Sequence, residues 1–260
     1  LDGLNSPHAI LLRADSGEVL AEKDADSTIY PASMTKMMTA LLAIEANPDL
    51  DTPVTLPEEI FPALQAQNAS LAGFQPGETA TVRDLLYGAM LPSGAECCEA
   101  LAREVSGSEE AFAVRMNQKA AELGMTGTHF CNPTGLHDPE HVSTVRDMAR
   151  LTEAALQNET FRKLFTTERY TVPATNCHPQ GFTMHSTLLS QLDGTELHRG
   201  RILGGKTGYT GEAGLCLASL AEVKDREYIL VTAGAGGNHS TAPYHIEDAV
   251  TVYRRVSRGA

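Results

Sequence analysis

The chain has 260 residues, 42% of them hydrophobic, enough to bury a substantial core in one large domain or two tightly joined lobes. Acidic residues outnumber basic ones, 33 to 20, for a formal charge of -13 spread without blocks. This excludes nucleic acid as an expected partner, because phosphate binding needs a positive surface. No apolar run approaches the ~20 residues that span a bilayer, and the most apolar stretch, Met37 to Ile44, is broken by Thr39 and followed by Glu45, so the chain as given is expected to be soluble.

In chain order, Ala9 to Arg13 and Glu18 to Glu22 flank Ala14-Asp15-Ser16-Gly17 and predict a β-hairpin. Apolar residues spaced three and four apart then predict helices over Met34 to Ala46, Val82 to Met90, Glu96 to Val105, Glu109 to Leu123 and Thr144 to Asn158. Thr81 and Ser143-Thr144 place hydroxyls at N-cap positions, with Asp84 and Asp147 about one turn on. Two further strands, Ala213 to Ala221 and Tyr228 to Ala233, are separated by a charged turn from Glu222 to Arg226, and Pro243 to Val256 reads as a closing helix. Isolated hairpins are marginal in water, so the two ends are expected to join one antiparallel sheet covered by helices. The predicted fold is α/β (α+β) in one catalytic domain. One lobe is expected from about 1–50 and 195–260, and an inserted, mainly helical lobe from about 51–194, with a cleft between them.

Cys97, Cys98, Cys131, Cys177 and Cys216 are odd in number, which excludes a fully disulfide-stapled scaffold, and their spacing fits no zinc-ribbon pattern. They are expected to be buried structural thiols, with one disulfide such as Cys131 to Cys177 left open. His137, His141 and His178 are expected to be surface loop histidines and not metal ligands, since Pro139 lies between the first two.

Three segments carry chemistry. In Pro31-Ala32-Ser33-Met34-Thr35-Lys36, proline starts a helix and Ser33 and Lys36, three apart, share a face. A serine hydroxyl needs a base, and a lysine serves as one only when its ammonium is destabilised, which the apolar neighbours Met37, Met38, Leu41 and Leu42 favour. Leu203 to Gly211 is a strand-like segment so rich in glycine that a ligand backbone can approach closely, with Lys206 and Thr207 offering a cation and a hydroxyl to an anionic group. A phosphate-loop alternative, with Gly200 as the upstream glycine, fails because no helix is expected after Thr207. In Leu91-Pro92-Ser93-Gly94-Ala95-Glu96 a serine sits on a short connection between helices, where it projects into a cleft or simply caps the next helix.

Ser-x-x-Lys, Ser-Gly-x and Lys-Thr-Gly in this order resemble the penicillin-recognising serine enzymes. More narrowly, Pro31 to Ala40, Met116-Asn117 through Leu123-Gly124-Met125 to Thr128-His129-Phe130, Asn132-Pro133-x-Gly135-Leu136 and Ser143 with Asp147-Met148-Ala149 resemble the low-molecular-mass D-alanyl-D-alanine carboxypeptidases, over essentially Ala9 to Val256. The resemblance implies a β-lactamase/transpeptidase-like fold and a two-step acyl transfer that removes the terminal D-alanine of peptidoglycan pentapeptides. It implies Ser33 as nucleophile, Lys36 as general base and Ser93 as proton relay to the leaving amine. Lys206, expected to stay charged, and Thr207 would hold the substrate carboxylate, alongside Gly208 and Tyr209. The backbone N–H groups of Ser33 and Tyr209 would form the oxyanion hole. β-Lactams are expected to acylate Ser33, no metal or organic cofactor is expected, and the location implied is extracytoplasmic.

One departure stands out: the family usually has Asn at the third position of Ser-x-Asn, and here that residue is Ala95. Water, or a neighbour such as Glu96, is expected to fill the gap, or acylation is weakened by roughly 1–3 kcal/mol. The family's C-terminal β domain and amphipathic anchor are expected to be missing from the chain as given, any signal peptide to lie outside it, and membrane attachment is left open. Two other functions compete. A β-lactamase would need a carboxylate that activates water, and the Asn132 to Leu136 stretch has none. A non-catalytic penicilloyl-binding sensor is kept open by Ala95.

Overall fold

The computed structural model describes residues 1–192 and 197–259. At the N-terminus β1 (His8–Arg13) and β2 (Val19–Lys23) form the expected hairpin. Helix α1 (Lys36–Ala46) follows, then β3 (Pro53–Thr55), α2 (Ile60–Ala66), β4 (Thr79–Thr81), α3 (Val82–Met90), α4 (Ala95–Ser106) and α5 (Glu109–Glu122). After a long loop come α6 (Val145–Leu156), α7 (Glu159–Phe165), β5 (Arg169–Val172) and β6 (Phe182–His185). The chain closes with β7 (Gly200–Thr210), β8 (Gly214–Val223), β9 (Arg226–Ala235) and α8 (Tyr244–Gly259).

Both ends meet in a five-stranded antiparallel sheet of order β2-β1-β9-β8-β7, in which Ile10 pairs with Val231 and Leu12 with Ile229. Strand side chains alternate between faces. Ala9, Leu11, Leu217 and Leu230 therefore pack under α8 with Ile246, Ala249 and Tyr253, while Ile10, Leu12, Ala218 and Val231 pack toward the helices of the middle of the chain. Two of those helices, α1 and α6, form the interior, and α6 touches β1 and β9. The expected lobe boundary near 194–195 lies outside the described residues.

Local signals placed the helix starts well. The Thr81 hydroxyl accepts from the Asp84 amide while the Asp84 carboxylate accepts from the Thr81 amide, a complete capping box, and Thr144 caps α6 by accepting from the Asp147 amide. The five-residue turn expected at Glu222 to Arg226 shrinks to Lys224 and Asp225, because Val223 pairs with Arg226 and Glu222 with Glu227. Both turn residues adopt positive φ, 52° and 61°, as the twist of a tight two-residue hairpin demands. The two small sheets, β3-β4 and β5-β6, were not anticipated. Strands of three or four residues carry too little alternation to register as a pattern.

All five cysteines are free thiols: Cys97, Cys98 and Cys216 are buried, Cys131 is half-buried and Cys177 is exposed. The Cys131 to Cys177 disulfide is therefore absent, and Cys177 is not a core thiol.

Candidate active site

Ser33 lies not in an α-helix but in a 3-10 turn, Ala32–Thr35, that runs into α1. Side chains three apart eclipse in a 3-10 turn. Lys36 Nζ accordingly sits 2.7 Å from Ser33 Oγ and donates to the Thr134 carbonyl at 2.8 Å. Ala32, just before Ser33, has φ 47°, a left-handed conformation uncommon for alanine. What holds it is the loop at Gly135, where a Cβ would stand 1.8 Å from the Ala32 carbonyl oxygen. Only glycine, here at φ 83°, fits.

That loop is itself caged by one side chain: Asn132 Oδ1 accepts from the Thr134 and Gly135 amides at 3.2 and 2.8 Å, and Asn132 Nδ2 donates to the Leu136 carbonyl at 3.0 Å. The Pro133 carbonyl accepts from Thr39 Oγ1 at 2.7 Å. His141 joins the two parts, and here the expectation of a surface histidine fails. It is 2% exposed, accepts from the Cys131 amide at Nδ1 (2.9 Å) and meets Thr35 Oγ1 at Nε2 (2.8 Å). Burial holds its pKa down at about 4, so it is a neutral strut between the Ser33 turn and the Thr134 loop. His178 is half-buried and pairs with the fully buried Glu78 at 2.8 Å, away from the cleft.

Opposite Ser33, the connection between α3 and α4 brings Ser93 in at φ 67°, and Lys206 Nζ on β7 donates to Ser93 Oγ at 3.0 Å and to the Thr207 carbonyl at 2.7 Å. Ser93 is not the cap of α4: Gly94 occupies that position. Thr207 Oγ1 lies 2.6 Å from Thr187 Oγ1. The glycines around Lys206 also let β7 pack closely against the rest of the protein. A Cβ at Gly204 would stand 1.9 Å from the Phe165 carbonyl oxygen, at Gly205 2.5 Å from Leu188 Cδ2, and at Gly208 2.9 Å from the Ser33 amide nitrogen. Gly208 thus lets β7 lie directly on the turn that carries Ser33. Since Thr207 is followed by strand, the phosphate-loop alternative has no helix to use.

Two adjoining cavities make one cleft. Ser33, Ser93, Thr207, Gly208 and Tyr209 line the first; Ser33, Lys36, Ala95, Thr134 and Tyr209 line the second. All the sequence-predicted site residues therefore converge except for Lys206, which lies beneath the floor and reaches the cleft through Ser93 and Thr207. Burial pushes Lys36 below its ordinary pKa, and pushes Lys206 well below it, with the nearby Lys36 charge adding to the effect. Among the described residues the partners of Lys206 are the Ser93 hydroxyl and the Thr207 carbonyl, so nothing there offsets the burial that disfavours its charged form. Glu96 does not fill the gap at Ala95 either, because its Oε1 accepts from the Ala72 and Gly73 amides at 2.6 and 3.0 Å. Ser70, Thr187, His239 and His245 also line the cleft, and no motif in the sequence marks them. They stand on loops and an N-terminal helical turn with no local pattern around them, and only the packing of distant segments collects them.

A serine hydroxyl with a buried amine one turn away, sharing a cleft with a second serine–lysine pair, is the arrangement that serine acyl-transfer chemistry requires. The family model described as D-alanyl-D-alanine carboxypeptidase matches residues 2–237, and the chain belongs to that family. D-alanyl-D-alanine carboxypeptidase DacF of Bacillus subtilis is 38% identical over 235 residues, covering 87% of this chain and 57% of the relative. A D-alanyl-D-alanine carboxypeptidase of Streptomyces sp. is 34% identical over 218 residues, covering 79% of this chain and 72% of the relative. The crystal structure of the Streptomyces K15 DD-transpeptidase superposes with a TM-score of 0.86 at 30% identity, over 97% of this chain and 98% of that one. The α/β fold read from the sequence is thus the fold of these enzymes. The chain spans little more than half of the Bacillus relative's length.

Proposed function

We propose that this chain is the catalytic unit of an extracytoplasmic serine D,D-carboxypeptidase that removes the terminal D-alanine from peptidoglycan stem peptides and is acylated by β-lactams. The observation that carries this reading is the 2.7 Å contact between Ser33 Oγ and the buried Lys36 amine, in the same cleft as the Lys206–Ser93 pair.

Lys36 in its neutral form takes the proton of Ser33 as the oxygen attacks the penultimate D-alanine carbonyl. The negative charge on the tetrahedral oxygen meets the backbone N–H groups of Ser33 and Tyr209, each donor of this kind being worth ~2.7–4 kcal/mol. When the C–N bond breaks, the leaving amine takes a proton relayed through Ser93, and D-alanine departs with its carboxylate released from Thr207 and Lys206. A carboxylate entering beside Lys206 favours its charged ammonium and offsets the burial that disfavours it. Water then attacks the ester with Lys36 again as base, restoring Ser33. Gly208 contributes by the close approach of strand and turn. The cleft is formed between a lobe built from both chain ends and the helical lobe inserted between them.

The test is D-alanine release from diacetyl-Lys-D-Ala-D-Ala, with intact-mass analysis after benzylpenicillin. The wild type should release D-alanine and gain one adduct, and Ser33→Ala should do neither. An adduct on Ser33→Ala, or on Ser93, sinks the assignment of nucleophile. Adduct formation without D-alanine release would mark a penicilloyl-binding sensor, and rapid turnover of the antibiotic a β-lactamase.

A further inference from the structure

Ala95 is 1% exposed and lines the cleft together with Ser33 and Lys36. Glu96, the next residue, is turned toward the Ala72 and Gly73 amides. These same bonds fix another segment. The Ser70 carbonyl accepts from the Ala95 amide at 2.8 Å, so the chain from Ser70 to Gly73 is clamped onto the first turn of α4. The approach is close enough that a Cβ at Gly94 would stand 2.7 Å from the Ala72 Cβ.

With its backbone held beside Ala95, Ser70 leaves its side chain exposed in the cleft. It lines both cavities, one with Ser33, Ser93 and Thr207, the other with Ser33, Lys36 and Ala95. Among the described residues its hydroxyl has no hydrogen-bond partner. Asn68 and Gln67 line the second cavity alone. A free hydroxyl both donates and accepts, which is what a peptide bond lying in the cleft requires of its wall.

Resting on the acyl-transfer function proposed above, we infer that Ser70 is a substrate-binding residue whose hydroxyl hydrogen-bonds the peptide backbone of the acyl donor, making the polar contact that Ala95 cannot make. The amide that related enzymes carry at the start of α4 is thereby replaced from the neighbouring loop, and the clamp through Ala95 and Glu96 holds the replacement in register. The ligand class is a peptide, or a β-lactam whose side-chain amide imitates one.

Ser70→Ala, Ser70→Thr, Ala95→Asn and the Ser70→Ala/Ala95→Asn double variant are compared in two assays, D-alanine release and the rate of acylation by a fluorescent penicillin. Because Ser70 is exposed, Ser70→Ala should unfold at the wild-type temperature while kcat/KM falls on the order of tenfold or more. Ser70→Thr should keep most of the activity, and Ala95→Asn should recover much of the loss in the Ser70→Ala background. Ser70→Ala within twofold of wild type in both assays overturns the inference. So does a loss that neither Ser70→Thr nor Ala95→Asn recovers. Should the wild type acylate but release no D-alanine, the carboxypeptidase function fails and the acylation rates alone decide the role of Ser70.

Discussion

Gly208 is where the geometry of the Ser33 turn is most exposed to a single atom. In Gly208→Ala the new methyl carbon would stand 2.9 Å from the Ser33 amide nitrogen and 3.2 Å from both Ala32 Cβ and the Met34 amide nitrogen. Ordinary contact begins near 3.4 Å, so strand β7 and the turn must part by 3.4 - 2.9 = 0.5 Å. The obstacle is backbone on both sides, so no side chain can swing away. Overpacking of this kind typically costs ~1–3 kcal/mol of stability. The effect on chemistry is larger, because the displaced groups are the Ser33 amide and its neighbours on β7, the donors assigned to the oxyanion. A displacement of ~1 Å costs about 100-fold, and complete loss of one donor about 100- to 1,000-fold, so half an ångström should slow acylation by roughly 10- to 100-fold. The assay is the rate of labelling by a fluorescent penicillin, read beside a thermal melt that shows the variant folded. A folded Gly208→Ala protein acylated within twofold of the wild-type rate would refute the argument that β7 positions the Ser33 turn.

Two further outcomes follow from buried charges. Lys36 must be neutral to act as base and burial lowers its pKa, so acylation should be constant at high pH and fall as pH drops through that depressed value; a rate flat into the acid range would remove lysine from the role. Glu99, 6% exposed, has its pKa raised to about 7 by burial first and by Glu109 second. A raised carboxylate pKa means that the folded state binds the proton more tightly, so stability present below the ordinary value is lost as pH climbs through about 7. The loss should total about 3 kcal/mol, and Glu99→Gln should unfold at a higher temperature than wild type at pH 8 but not at pH 4.5. An equal difference at both pH values would contradict a titrating Glu99.

Much of this molecule was legible from local pattern. Helices α3 and α6 announce themselves by Thr81 with Asp84 and Thr144 with Asp147, because a capping bond joins residues three apart and needs nothing else. The terminal hairpins and the pairing of the two chain ends follow from alternating strands that cannot stand alone. Ser33 and Lys36 are close for the same local reason. His141 and Glu96 were misread because their partners, Thr35 and the Ala72–Gly73 amides, are 106 and 24 residues away. Nothing beside either residue in the chain signals burial.

The sequence by itself determined the order of the main helices and the terminal strands, the closeness of Ser33 and Lys36, and the family, since each rests on short-range spacing or on motifs in fixed order. Only the tertiary structure decided that the glycines of β7 make room for Ser33, Phe165 and Leu188. It alone showed that Lys206 is buried with the Ser93 hydroxyl and the Thr207 carbonyl as its partners among the described residues, and that Ser70 stands beside Ala95. Those facts depend on how closely backbones distant in sequence approach one another. That distance is set by packing of the whole core, which no local window of residues contains.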